Sequence, residues 1–169
     1  GNKGWSWRDV LPYFIKAEDQ ERGSSEFHGK GGPLSVSDQR IKLDILDVFQ
    51  TAASEVGIPK VDDFNKGDNF GCGYFQVTEK NGLRCSAAVG YLNPIKKRKN
   101  LKIEINCHVK KINFDGTKAK SVSFWKDGNL KEVKADKEIL LSAGSIGSTQ
   151  ILQTSGIGNG NKLSSLGIK

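Results

Sequence analysis

The residues best placed to do chemistry are three small ones, Ser142, Ala143 and Gly144. They end the apolar run Glu138-Ile139-Leu140-Leu141, and the chain then passes straight into a helical pattern. This reads as a buried strand turning into a helix N-terminus. Small side chains at such a turn let the backbone approach a ligand, and the free N–H groups of the first helical turn attract phosphate. Conventional catalytic groups are sparse. His28 and His108 are far apart in sequence. Histidine suggests a general base, but the glycine-flanked position of His28 argues for a turn or surface role. His108 reads as a strand residue. Cys72, Cys85 and Cys107 are an odd set with no CxxC. Cys107 and His108 are neighbours in a strand pattern and so point to opposite faces, a poor metal pair. No metal site is expected, and the thiols are expected to be free and buried in a reducing compartment. Arg84 is expected either to bind a phosphate or, in preference, to fix a loop by pairing with Asp62 or Asp63.

The elements that must hold these residues follow from periodicity. Trp5 to Glu21 is predicted to be a helix, with Ser6 as N-cap and Val10, Leu11, Phe14 and Ile15 on one face. A polar, glycine-rich loop leads to a short strand at Pro33 to Ser37. Ile41 to Val56 is predicted to be a second helix, with Ile45, Leu46, Phe49, Ala52 and Ala53 inward and Gly57 as its stop. Val61 to Asn81 is a long loop dense in glycine and aromatic residues, a make often associated with function. A short helix from Ser86 to Lys97, capped by Ser86, ends near Asn93-Pro94. The period then changes to two. Strands are expected at Leu101 to Ile105, His108 to Phe114, Ala119 to Trp125 and Leu130 to Val133, with turns at Gly116 and Asp127-Gly128-Asn129. A further apolar strand is expected from Ala135 to Ser142.

Composition narrows the class without naming a function. The chain has 169 residues, 36% of them apolar, a size and balance suited to one globular domain. No run is long enough to cross a membrane as a helix, and the N-terminus lacks signal-peptide character. The net charge is +7, with the basic residues mostly spread singly and one cluster at Lys96-Lys97-Arg98-Lys99. That cluster reads as a solvated helix end, and no aromatic-interleaved basic motif or zinc-finger spacing supports nucleic-acid binding. The absence of methionine, together with a start that looks mid-domain, points to a piece of a longer protein.

Several stretches, taken in order along the chain, resemble one family. They are Gly1-Asn2-Lys3-Gly4-Trp5 through Phe14, His28-Gly29-Lys30-Gly31-Gly32-Pro33-Leu34, Asp62-Asp63-Phe64-Asn65, Gln76-Val77-Thr78-Glu79-Lys80-Asn81-Gly82-Leu83-Arg84-Cys85-Ser86-Ala87-Ala88, Asn100-Leu101, and Ala143-Gly144 through Ser155-Gly156-Ile157-Gly158. Together they resemble the glucose-methanol-choline (GMC) family of FAD-dependent oxidoreductases, in its bacterial alcohol and choline dehydrogenase branch. Thr149 stands where the family's second signature usually has proline, which loosens the turn without costing the helix. The GxGxxG loop and the C-terminal catalytic histidine of the family have no counterpart in this sequence.

The resemblance implies a mixed α+β and α/β fold. Residues 1–95 would be substrate-domain and flavin-covering segments, and residues 96–169 the C-terminal half of the FAD-binding domain, with an antiparallel β-meander. It implies FAD as cofactor and a small-molecule alcohol as substrate of the full-length parent, with hydride passed to the flavin. No catalytic residue is expected in this stretch. Val109 would pair through its backbone with the adenine edge, Ser142, Ala143 and Gly144 would lie against the ADP half, and Tyr74, Phe75 and Gln76 would run near the substrate side. The expected location is cytoplasmic or peripheral to the inner membrane. The chain alone is expected to be inactive, to bind FAD weakly or not at all, and to self-associate through exposed sheet edges. The alternative reading is a non-catalytic binding or regulatory module that docks on a partner.

Overall fold

The computed structural model describes residues 2–168, which form two compact units divided after Leu101. In the first unit, α1 spans Trp7–Ala17. Ser6 and Asp9 close a capping box: the Ser6 side chain accepts the Asp9 N–H at 3.4 Å, and the Asp9 carboxylate accepts the Ser6 N–H at 3.1 Å. The helix ends at Ala17 rather than Glu21, because Glu18–Gln20 leaves it to form strand β1. This pairs in parallel with β2, Leu34–Val36. The intervening glycines make that early exit possible. A Cβ on Gly29 would lie 1.7 Å from the Ile15 carbonyl oxygen, and one on Gly32 would lie 2.5 Å from that of Ala17. Only a bare backbone passes so close to the helix end.

Helix α2 runs Asp44–Glu55, within the predicted span. Its predicted inward face is not covered in this unit: Ile45 and Phe49 are 68% and 65% exposed, and among the described residues of the helix only Ala53 is buried. The long loop that follows is fastened at its ends. Val61 N–H donates to Cys72 O, Cys72 N–H to Pro59 O, and Ser37 and Val77 exchange both backbone bonds. Gly73 sits where a Cβ would lie 1.9 Å from Val61 O. A two-stranded hairpin follows, β3 at Glu79–Lys80 and β4 at Leu83–Arg84. Ser86 does cap the next turn, accepting the Val89 N–H at 3.3 Å. The turn itself, Ala88–Leu92, is π-helical: Asn93 N–H reaches back five residues to Ala88 O.

The second unit is built on an antiparallel meander, β5 at His108–Asp115, β6 at Lys118–Lys126 and β7 at Asn129–Lys134. The β6–β7 turn is Asp127-Gly128, with φ of +53° and +73°, the left-handed pair a tight hairpin needs. Two predicted strands are absent. Residues 101–105 and 135–142 are irregular: Ala135 N–H donates to Lys120 O at 2.9 Å, but the pairing goes no further, and Leu140 is 81% exposed. A strand exists through its neighbours' hydrogen bonds, and among the described residues neither stretch has a partner strand. Helix α3, Gly144–Thr154, packs on β5. Its last residues close the outer edge of that strand. Ile112 N–H donates to Ser155 Oγ at 2.8 Å, and Thr154 Oγ1 donates to Lys110 O at 3.0 Å. A short helix α4, Gly160–Ser165, follows, capped by Asn159.

Residues 102–107 are held to the meander by charge. Glu104 accepts from Lys102 at 2.8 Å and also from Lys126. Hydrogen bonds from Lys102, then from Lys126, hold its carboxyl down from an ordinary 4.5 to about 2. A carboxyl lowered on folding stabilises fully above its unfolded value and loses that contribution as pH falls through its folded one. Backbone order in residues 102–107, read by ¹⁵N relaxation, should therefore fall on acidification from about pH 4.5 toward pH 2. The same segment should loosen in high salt, since the cluster is exposed. In Glu104→Gln both dependences should vanish, and retention of either would show that the segment is held by something else.

Candidate functional site

In the first unit, the predicted substrate-side residues lie in one extended stretch with their side chains divided. Tyr74 Oη donates to Asp47 Oδ1 at 2.9 Å, on the first turn of α2. Gln76 and Gln20 exchange amide hydrogen bonds at 3.2 Å in both directions. The hydroxyl of Tyr74 and the amide of Gln76 are thus already bonded within the unit. Phe75 differs. Its ring lies 4.7 Å from that of Phe64, tilted by 32°, and the residue is 64% exposed. Of the three, Phe75 offers a free surface.

Beside Gln76 lies a buried polar cluster that sequence reasoning missed. His28 is 7% exposed, not a surface residue, and its ring sits between two carboxylates. Nδ1 is 2.9 Å from Glu18 Oε2, and Nε2 is 2.9 Å from Asp63 Oδ2. The second contact has the distance of an ion pair without the alignment of a hydrogen bond. Gln20, 1% exposed, completes the cluster. The histidine is buried because Gly29 and Gly32 let its loop fold flat against the end of α1. The available signal was the pattern itself: a histidine among glycines, preceded by the polar run Glu18-Asp19-Gln20 directly after an amphipathic helix. Asp62 and Asp63 are not paired with Arg84, as expected from the sequence. Asp62 pairs with Lys66, its carbonyl accepts from Arg22 at 2.7 Å, and Asp63 faces His28. Arg22 is further fixed by Asp38 at 2.7 Å, and this contact holds the Asp38 carboxyl below the usual range.

In the second unit, Val109 is half-buried on β5 opposite Phe124. It lines a cavity of about 620 Å³ with Val122, Phe124, Lys126 and Lys131. Ser142, Ala143 and Gly144 are exposed at the start of α3. The N-cap side chain makes no capping bond, although Ser148 Oγ accepts the Ala143 N–H at 3.0 Å, and Gly144 has φ +80° with nothing within 4 Å of where a Cβ would stand. The turn is thus open to a ligand and offers helix N–H groups at its mouth, as a phosphate requires. The far end of α3 is fastened to Lys110 and Ile112, next to Val109. The ten-residue rise from Gly144 to Thr154 separates the open turn from that end by about 15 Å. Val109 and the small residues therefore mark two places along one helix, not one shared contact. Of the thiols, all three are free, but only Cys85 is buried. Among the described residues no His, Cys, Asp and Glu cluster could hold a metal ion, and no helix is long and apolar enough to cross a membrane.

Solved structures place this architecture. The chain superposes on an FAD-dependent oxidoreductase from Chaetomium thermophilum with a TM-score of 0.88 and 32% identity, covering 100% of this chain and 32% of that one. Pyridoxine 4-oxidase from Mesorbium loti gives a TM-score of 0.89 at 30% identity, covering 99% and 33%. The fold is thus that of part of an FAD-dependent oxidoreductase.

The pattern of the GMC oxidoreductase family matches residues 1–167, and the chain belongs to that family. Membership implies FAD as the cofactor, and the open, uncapped turn at Ser142–Gly144 fits the phosphate-bearing half of such a group. The chain is 40% identical over 168 residues to the mitochondrial choline dehydrogenase of Homo sapiens, covering 99% of this chain and 28% of the human protein. It is 40% identical over 171 residues to the oxygen-dependent choline dehydrogenase of Pectobacterium atrosepticum, covering 99% and 30%. The chain thus spans less than a third of the length of these relatives.

Proposed function

We propose that the chain is a central part of an FAD-dependent oxidoreductase that oxidises the CH–OH group of a small alcohol, choline or another primary alcohol. Residues 1–95 belong to the substrate and flavin-covering side, and residues 96–169 to the returning half of the FAD domain. The observation that carries this reading is the open helix start at Ser142–Gly144 within a chain matched to the family from end to end. When bound, FAD supplies the hydride acceptor. The α3 N-terminus offers N–H groups to the phosphates, and the small side chains of Ser142, Ala143 and Gly144 leave room for them. The Val109 backbone would pair with the adenine edge. Tyr74, Phe75 and Gln76 would line the substrate side, with Phe75 supplying apolar contact. Proton removal from the hydroxyl falls to groups outside these residues. On this reading the whole protein works in the cytoplasm or at the periphery of the inner membrane.

The test is a titration of the folded chain with FAD, read by flavin fluorescence and checked by circular dichroism. Weak, saturable quenching is expected. Ala143→Asp separates a cofactor role from a structural one. An acidic residue at a helix start stabilises the helix by roughly 0.5–1 kcal/mol but repels phosphate. The variant should melt at or above the wild-type temperature and bind FAD about tenfold more weakly, a loss of about 1.4 kcal/mol. Equal affinities would remove these residues from the site. A folded chain that quenches nothing would show that this stretch does not form the half-site.

A further inference from the structure

The unabsorbed feature of the first unit is the buried ring of His28. Its two nitrogens face carboxylates from different segments, Glu18 on β1 and Asp63 in the long loop. Both carboxylates already accept backbone N–H groups, Glu18 Oε2 from Gly29 at 2.9 Å and Asp63 Oδ1 from Asn65 at 2.8 Å. Each carboxylate therefore holds loop backbone as well as facing the ring. Other charges nearby are committed elsewhere: Arg22 to Asp38, Lys66 to Asp62, and Lys30 to Asp19 and the Gln20 carbonyl.

The cluster continues to the far end of the same loop. Gln20 Nε2 lies 3.5 Å from His28 Nδ1 and 3.2 Å from Gln76 Oε1. Between the two ends, Phe64 and Phe75 stack. One buried ring thus touches the start of the segment through Asp63 and its end through Gln20. We infer that His28, buried between Glu18 and Asp63, is a positioning residue that fixes residues 61–77 and sets the placement of Phe75 and Gln76. Its value for substrate placement rests on the substrate-side reading given above.

Amide exchange in variants of the folded chain tests this directly. Amide exchange in His28→Gln should rise roughly tenfold across residues 61–77, as for the loss of one charge-assisted bond, and stay unchanged in α2. Unchanged exchange in residues 61–77 overturns the inference, as does a rise spread evenly over the unit. Should His28→Gln fail to fold, Glu18→Gln carries the same comparison with the same outcomes. None of these readouts involves alcohol or FAD. The substrate-side reading fails separately, if Phe75→Ala leaves alcohol oxidation by the whole enzyme unchanged.

Discussion

Gly29→Ala is expected to unfold the N-terminal unit and leave the C-terminal one intact. The new methyl would lie 1.7 Å from the Ile15 carbonyl oxygen and 3.1 Å from that of Glu18. Both obstacles are backbone, fixed by α1 and by the β1–β2 pairing, so neither can swing aside as a side chain would. Overpacking typically costs roughly 1–3 kcal/mol, and a clash with backbone falls at or beyond the top of that range. The displaced loop also carries His28, so the Glu18 and Asp63 carboxylates would lose the ring between them. The three tryptophans report the outcome by unit: Trp5 and Trp7 lie in the first, Trp125 in the second. With ¹⁵N-labelled indoles, the Trp5 and Trp7 resonances should collapse to unfolded positions while that of Trp125 stays. Gly160→Ala, where nothing lies within 4 Å, is the control and should be neutral or slightly stabilising. A folded Gly29→Ala unit would mean that the α1–loop packing yields.

The second large effect is expected at Ile112, a buried aliphatic of the meander. Truncation to alanine should cost about 2–4 kcal/mol. A unit of this size has a total stability of only roughly 3–10 kcal/mol, so much of its margin would go. Ile112 also donates its backbone N–H to Ser155 Oγ, so loss of packing there loosens the anchor of α3 as well. The variant should show an early denaturant midpoint by Trp125 fluorescence. FAD quenching should weaken in parallel, because the start of α3 is placed from its anchored end. Normal quenching in a destabilised variant would instead show that the helix start is positioned independently of β5.

Features set by near neighbours were legible in the sequence. The Ser6 cap, the Ser86 cap, the Asp127-Gly128 turn and the three meander strands each follow from residues within a few positions. Features set by distant groups were not. Residues 139–141 are as apolar as a buried strand, yet among the described residues they have no partner strand, because apolarity invites a neighbouring strand without supplying one. The face of α2 bearing Ile45 and Phe49 shows the same gap between a pattern and the surface it needs. His28 escaped notice for the opposite reason. Glycines beside it suggested freedom, whereas their lack of a side chain allows the close approach that buries the ring. For the candidate site, the small residues before α3 were readable because a strand-to-helix turn is local. The bonding of Tyr74 to α2 and of Gln76 to β1 was not, since those partners lie 27 and 56 residues away.

The hydroxyls of Thr154 and Ser155 make the meander one-sided. They occupy the outer edge of β5, whereas among the described residues no segment pairs with the outer edge of β7. A sheet with two open edges can recruit strands without limit, as fibres do. With one edge stoppered, two sheets can meet only β7 to β7 across a twofold axis, and the resulting six-stranded sheet would present a stoppered edge at either end. The stoppered groups of β5 would therefore favour a pair over a fibre.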